Sequence, residues 1–130
     1  LYKTEVFALA RHINEHAGHT LIPQAIIDKE PSAELAPGQR DVDSLPPYPV
    51  LDEVLKLLIE GEGLSRAEYA AALAFNTELQ THNEGRALVQ RIRRMIARNE
   101  YKRCQAPPIL RVRAKAFGNG RQMPIAARYV

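Results

Sequence analysis

One lysine, four acidic residues, two serines and four prolines stand between residues 29 and 48. Neither the alternation of a strand nor the three- and four-residue spacing of a helix runs through this segment, so a packed core does not account for its composition. Polar loops of this kind carry binding and catalytic side chains more often than they carry structure. The sequence therefore predicts a binding loop.

Asp41 and Asp43 are the two residues of the loop whose spacing has the clearest chemistry. Two carboxylates separated by one residue can share a magnesium ion, or can accept hydrogen bonds from an amide or hydroxyl of a substrate. An acidic loop that faces only solvent has the same pattern, and from the residues alone this interpretation is favoured.

Two lysines outside the loop have surroundings that suit an anion. Lys3 comes just before the first predicted helix, where unpaired amides and the helix dipole attract phosphate, although from the residues alone a solvated lysine is the better explanation. Lys102 stands between Tyr101 and Arg103, and bases beside an aromatic ring suit the phosphates and ring of a dinucleotide. The negative end of a helix dipole explains these two bases equally well.

Histidine and cysteine add no metal or redox site to the prediction. His12, His16 and His19 have the spacing of helical metal ligands, but no acidic motif of a metallohydrolase accompanies them, so exposed histidines are the better explanation. Cys104, the one cysteine, cannot form an internal disulfide and fits a reducing compartment. We assign it no chemistry.

Four helices are predicted to position these residues. They are residues 4–16 with Gly18 as the stop, a helix with Pro49 in its first turn that ends at Gly61, a helix from the capping-box pair Ser65 and Glu68 through Phe75, and a helix with Leu88, Val89, Ile92, Met95 and Ile96 on one face. The opposite face of the last helix carries Arg86, Arg91, Arg94 and Arg98, which are predicted to be solvated.

The remaining segments are predicted to be irregular. Residues 21–27 form a short buried segment in which Pro23 argues against a regular helix. Residues 105–130 contain three prolines and two glycines and are predicted to be an extended, docked tail. The chain is thus divided into a helix (1–18), a substrate loop (19–49), a helical part (50–104) and an extended basic tail (105–130).

Composition and charge fit a soluble domain with an anionic partner. The 130 residues are 45% hydrophobic and 25% charged, and no apolar run approaches a membrane span or a signal peptide, so a cytoplasmic location is expected. From Arg86 onward there are 12 Lys or Arg and one acid, whereas the first 85 residues hold 6 bases and 14 acids. The basic part favours nucleotide phosphates, nucleic acid or an acidic subunit surface.

The loop resembles the one that follows the adenylation core of NAD synthetases. That loop has the form K-x-P-S-A-E-L-x-P-x-Q-x-D-x-D-S-L-P-x-Y, and residues 29–48 match it at every specified position. The resemblance covers nearly the whole chain, including L-Y-K-T-E-V at the start, N-E-Y-K-R at 99–103 and F-G-N-G-R-Q-M-P-I-A at 117–126. This ending is similar to that of the glutamine-dependent bacterial branch, in which an amidohydrolase domain supplies ammonia to a synthetase domain.

The resemblance implies both a fold and a reaction. The chain would be a mostly α fragment, namely the C-terminal helices, binding loop and extended tail of a larger α/β domain of the adenine-nucleotide α-hydrolase-like (ATP pyrophosphatase) type. Members of the family adenylate deamido-NAD with ATP and magnesium, and ammonia then displaces AMP to give NAD. Because the family's S-G-G-x-D-S pyrophosphate loop and its glutaminase residues would precede Leu1, the chain alone is expected to be inactive, and the whole protein is expected to be a homo-oligomer.

Residue roles follow from the same resemblance. Lys3 resembles the family lysine on the ATP phosphates, Ser32 the hydroxyl that contacts ATP, and Lys102, with Tyr101 beside it, the deamido-NAD contact. Loop positions with less specific roles are Lys29, Glu34, Asp41 and Asp43. Cys104 and Gln122 stand where arginine is expected, so no phosphate or subunit contact is assigned to either.

A function of another class would use only the basic part of the chain, as a nucleic-acid-binding or subunit-docking module without catalysis. Binding to a phosphate backbone would weaken steeply with salt and would not need ATP. The tail lacks the regularly interleaved aromatic residues of a stacking platform, which disfavours nucleic acid. A tail that docks on a subunit is compatible with the synthetase interpretation.

Overall fold

The computed structural model describes residues 1–105 and 110–115 of the chain. Over these residues the protein is mostly helical and has no β-strand, as expected of a mostly α chain. The chain divides into two compact units, one of Leu1–Asp52 and one that begins at Glu53. Within the described ranges no helix combines the length and the apolar character needed to cross a membrane. The larger α/β domain stays a prediction.

The first unit begins with helix α1, Lys3–Ala17, and a short helix α2, Gln24–Asp28. Helix α1 ends where the sequence predicted, because Gly18 takes the left-handed conformation with φ +68°. Lys3 is the first residue of α1 instead of the residue before it. The side chain of Asn14 joins the two helices: it accepts hydrogen bonds from the amides of Leu21 and Ile22 and donates one to the Ile22 carbonyl.

The prediction for residues 21–27 was wrong in two respects. Pro23 does not prevent a helix but occupies the N-cap position of α2. A proline is tolerated at a helix start because its missing N–H would have no partner within the helix there. Of the apolar residues, Ile27 is buried, whereas Leu21 and Ile26 are 57% and 62% exposed. The segment is therefore a helix with one inward-facing residue.

The second predicted helix starts as helix α3, Tyr48–Leu55, and runs on as a π-helical turn, Lys56–Glu60, before Gly61 ends it. Its apolar residues Leu51 and Val54 are buried, and Val50, Leu55 and Leu58 are half-buried. A 3-10 turn, Gly61–Gly63, follows. The residues from 48 to 61 thus confirm the predicted extent of this helix.

The second unit contains helices α4, Arg66–Leu79, α5, Asn83–Arg98, and α6, Glu100–Cys104. The predicted capping box opens α4, because the Ser65 amide donates to the Glu68 carboxylate and the Glu68 amide donates to the Ser65 hydroxyl. The core residues of this unit are Val54, Leu64, Ala72, Val89 and Ile92. A Cβ atom on Gly85 would lie 1.7 Å from the Leu79 carbonyl oxygen, so the junction of α4 and α5 requires glycine.

One prediction about the end of the helical part was wrong, and another is confirmed and extended. Lys102 and Arg103 do not stand at the end of the fourth predicted helix, because α5 ends at Arg98 and the E-Y-K-R motif forms the separate helix α6. The arginines of α5 are exposed as predicted, but the Arg86 guanidinium also donates to the carbonyls of Gln80 and Thr81, which follow the end of α4. It therefore stabilises a helix end in addition to facing solvent.

The tail is described only at residues 110–115, which have no regular secondary structure, as predicted. Its Arg113 lies 3.3 Å from the carboxylate of the buried Glu60 and 3.4 Å from that of Glu68, so this segment contacts other residues of the second unit. Gln122 and the motif at 117–126 lie outside the described residues.

Candidate functional site

The loop of residues 29–48 is closed by hydrogen bonds between its own residues. The Asp41 amide donates to the Pro31 carbonyl at 2.9 Å and so joins the two ends of the segment 31–41. Within it, the Leu35 amide donates to the Gln39 side chain at 3.0 Å. These hydrogen bonds connect positions along the loop, while most of its side chains are exposed.

The loop forms an open hollow of about 550 Å³. Its lining residues are Lys29, Glu30, Ser32, Glu34, Leu35, Ala36, Pro37, Gly38 and Gln39. The structure thus brings three sequence-predicted residues, Lys29, Ser32 and Glu34, to one place. Sequence reasoning missed Leu35, which is 85% exposed and lines the hollow beside these polar residues.

Lys29, Ser32 and Glu34 are also connected to one another. The Glu34 amide donates to the Ser32 hydroxyl oxygen at 3.0 Å, and Glu34 has a positive φ of 53°, which is uncommon for a residue with a side chain. The Lys29 ammonium lies 2.6 Å from the Glu34 carboxylate, a contact that raises the pKa of Lys29 and lowers the pKa of Glu34. The Ser32 hydroxyl can still donate its hydrogen to a ligand.

A second cluster surrounds Tyr48, which neither charge nor periodicity marked as a site residue. Its hydroxyl donates a hydrogen bond to the Asp41 carboxylate, and the Lys3 ammonium lies 6.0 Å from the centre of its ring. Burial and this hydrogen bond raise the pKa of Tyr48 to about 12. The tyrosine therefore remains protonated, and able to donate, at neutral pH.

Asp41 and Asp43 turn to different partners. Asp41 accepts from Tyr48, whereas Asp43 accepts from the Arg40 amide at 3.0 Å and lies near the Arg40 guanidinium at 3.5 Å. No group of three or more metal-binding side chains occurs among residues 1–105 and 110–115. The pair therefore presents two separately held carboxylates.

The start of α1 differs from the phosphate site that the sequence suggested. The Thr4 amide donates to the Asp52 carboxylate at 2.8 Å, and the Tyr2 amide donates to Glu5 at 2.9 Å. Two amides at this helix end are therefore occupied by carboxylates of the protein. Lys3 is exposed, so its ammonium group remains the feature of this end that suits an anion. Asp52 is 3% exposed, and its position within an apolar helix gave no signal of this contact.

Lys102 and Tyr101 belong to helix α6 of the second unit. Tyr101 is 46% exposed and Lys102 is also exposed, so both can contact a ligand. The neighbouring Arg103 instead pairs with Glu100 at 2.6 Å, and their side chains are only 12% and 2% exposed. The two adjacent bases, which the sequence could not separate, thus have different surroundings. Cys104 is the last residue of α6.

His12, His16 and His19 are exposed residues of the first unit. The rings of His12 and His16 stack with their centres 6.1 Å apart on α1, and a ring nitrogen of His19, which follows the helix, lies 2.9 Å from the Ala17 carbonyl oxygen. This arrangement agrees with the predicted exposed histidines.

Comparison with known proteins gives the family. The model described as NAD synthase matches residues 1–106. The chain is 43% identical over 129 residues to the glutamine-dependent NAD(+) synthetase of Thermotoga maritima and 42% identical over 129 residues to that of Xanthomonas campestris pv. campestris. These alignments cover 99% of this chain but 20% and 21% of the relatives, so the chain spans about one fifth of their length.

Among solved structures, the glutamine-dependent NAD+ synthetase from Acinetobacter baumannii in complex with adenosine diphosphate is 32% identical to the chain. The superposition covers 96% of this chain and 19% of that one, with a TM-score of 0.43. Since the family match takes in most of the sequence, and since relatives above 40% identity match it almost from end to end, the chain belongs to the NAD synthase family.

Proposed function

We propose that the chain works as part of a longer glutamine-dependent NAD synthetase. Such a protein is an ATP-dependent carbon-nitrogen ligase: it adenylates deamido-NAD, releases pyrophosphate and lets ammonia displace AMP to form NAD. The observation that carries this proposal is the loop of residues 29–48, which matches the family pattern throughout and holds Lys29, Ser32 and Glu34 around one hollow. The relatives it matches are named for this activity.

In this proposal Lys3 and Ser32 contact ATP. The exposed ammonium of Lys3 places one positive charge where phosphate charge must be neutralised, and Ser32 offers a hydroxyl whose oxygen is held by the Glu34 amide. ATP enters as its magnesium complex, and the magnesium ligands come mainly from other parts of the longer protein. Adenylation is needed because a free carboxylate resists attack by an amine.

Lys102 and Tyr101 contact deamido-NAD in the same proposal. The exposed ammonium group can pair with a phosphate of the dinucleotide, and the exposed phenol ring beside it can stack on one of the dinucleotide's rings. Lys29, Glu34, Asp41 and Asp43 contribute further loop contacts.

The partners follow from the same activity. Ammonia comes from a glutaminase (amidotransferase) domain of the same protein, and the whole protein is a cytoplasmic homo-oligomer. Membership of the NAD synthase family disfavours the nucleic-acid-binding alternative, which would leave the loop of residues 29–48 without a use.

Lys3→Ala in the longer protein tests the proposal by separating the two half-reactions. Pyrophosphate release with saturating ammonia should fall by about 10- to 100-fold, because one charge-assisted contact contributes about 1.5 to 3 kcal/mol. Glutamine hydrolysis should persist. Arg11→Ala is the matched control, since it removes one exposed positive charge from the same helix.

Two results would contradict the proposal at different levels. Adenylation at the wild-type rate in Lys3→Ala would show that Lys3 is only a surface residue at a helix end. Failure of the intact protein to form NAD from ATP, deamido-NAD and ammonia would remove the proposed activity itself.

A further inference from the structure

Tyr48 contacts two groups that the proposed function assigns to ligand binding. Its hydroxyl donates to Asp41 of the loop, and its ring lies beneath the Lys3 ammonium of α1. It is also the first residue of α3. One side chain therefore links the loop, the lysine and a helix within the first unit.

The contact with Asp41 fixes a loop residue whose backbone is already held. The Asp41 amide donates to the Pro31 carbonyl, and the Asp41 carbonyl accepts from the Leu45 amide at 2.7 Å. These bonds set the position of the backbone but leave the carboxylate free to rotate about its side-chain torsions. The Tyr48 hydroxyl removes that freedom, since a phenol bound to a carboxylate orients it.

The contact with Lys3 is supported from a second side. The Thr4 amide donates to Asp52, so the residue after Lys3 is bound to the same helix that begins with Tyr48. A lysine ammonium about 6 Å from a phenol ring lies within the range of cation–π attraction. The start of α1 and the ring beneath Lys3 therefore form one connected arrangement.

From these contacts we propose that Tyr48 is a positioning residue. Its hydroxyl orients the Asp41 carboxylate and its ring holds the Lys3 ammonium, so that both groups can contact the ligand at the same time. This rests on the proposed function in taking Lys3 and Asp41 as ligand contacts. Tyr48 is half-buried, and the packing of α3 depends on Leu51 and Val54 instead. Its hydroxyl therefore has a directional role that packing does not explain.

The raised pKa of Tyr48, about 12, supports this role. Burial and the hydrogen bond to Asp41 raise this pKa, so the phenol remains a donor to Asp41 in mildly alkaline solution as well.

The test is a pair of double-mutant cycles on the longer protein, read as kcat/KM for NAD synthesis from ammonia. Tyr48→Phe should lower it by about tenfold, and by no further factor when Asp41→Ala is already present, because either change alone removes the one hydrogen bond. Tyr48→Leu should lower it by about threefold more than Tyr48→Phe, since it also removes the ring, and this extra loss should vanish in Lys3→Ala.

Tyr69→Phe is the matched control, because Tyr69 is a partly exposed tyrosine of α4, outside the proposed site. It should leave both the kinetics and the midpoint of thermal unfolding unchanged. Tyr48→Phe should also leave the midpoint nearly unchanged, and hydrogen exchange of residues 31–45 should become faster.

Additive losses in both cycles, with Lys3→Ala and Asp41→Ala each impaired, would overturn the positioning role and leave the proposed function standing. Unchanged exchange in residues 31–45 of Tyr48→Phe would also overturn it. Wild-type rates in Lys3→Ala and Asp41→Ala would instead remove the proposed ligand site, and the positioning role with it.

Discussion

Different interactions stabilise two regions of the molecule, the loop of residues 29–48 and the helices from residue 53 onward. In the loop, side chains such as Lys29 and Glu34 pair with each other while they stay about two-thirds exposed. In the second unit, Val54, Ala72 and Ile92 are at most 1% exposed. Apolar burial contributes to folding whether or not a ligand is present, whereas exposed polar contacts add little stability but fix the geometry of the groups involved.

The same contrast occurs between two neighbours on helix α6. Arg103 pairs with a buried carboxylate, and Lys102 faces solvent. Residues that orient a ligand should therefore tolerate substitution without unfolding, while residues that pair with or fill the interior should not. The following changes test this distinction in the longer protein.

Arg103→Ala should have the largest effect on stability. It leaves Glu100, whose side chain is 2% exposed, without a guanidinium that lies 2.6 Å away, and breaking a buried ion pair in this way costs about 3 to 5 kcal/mol. Urea unfolding of the synthetase domain measures the loss. Lys102→Ala is the control and should unfold at the wild-type urea concentration; equal midpoints for the two variants would show that the adjacent bases are equivalent.

Ile92→Ala should follow, with a loss of about 2 to 5 kcal/mol from the lost burial and the cavity left in the second unit. Ile26→Ala removes the same atoms from a side chain that is 62% exposed in the first unit, and should change stability by less than about 0.5 kcal/mol. Thermal unfolding of both variants compares the two regions directly. A large effect at Ile26 would mean that its apolar surface is covered in the longer protein.

Lys102→Ala should act on binding. The KM for deamido-NAD should rise by about 10- to 100-fold through the loss of one charge-assisted hydrogen bond, with the KM for ATP unchanged. Arg98→Ala, which removes an exposed charge at the end of α5, should change neither constant. An unaltered KM and kcat in Lys102→Ala would remove this lysine from the site.

The smallest effect on stability is expected from Tyr48, whose contribution should change only in alkali. Its folded-state pKa of about 12 lies above that of an unfolded tyrosine, about 10, so its stabilising contribution is fully present below about pH 10 and is lost as the pH rises towards 12. The stability difference between wild type and Tyr48→Phe should therefore be constant from pH 6 to 9 and shrink above pH 10. A difference that changes between pH 6 and 9 would contradict this assignment.

The local elements of this chain could be predicted from the sequence because their signals are local. Gly18 ends α1, Ser65 and Glu68 open α4, and Gly61 ends the second predicted helix, each through contacts within a few residues. The family pattern likewise identified the loop and the residues Ser32 and Lys102, whose proposed roles are still to be tested.

Tertiary structure decided which partner each polar side chain takes. The contacts of Thr4 with Asp52 and of Glu60 with Arg113 join residues 48 and 53 positions apart, and no periodic pattern encodes a pairing over that distance. Glu100 and Arg103 are neighbours at i,i+3 on one helix, but it is the packing of the helices that buries this pair and leaves the adjacent Lys102 exposed to a ligand. Local patterns therefore determine where helices begin and end, and packing determines which charged side chains remain exposed to a ligand.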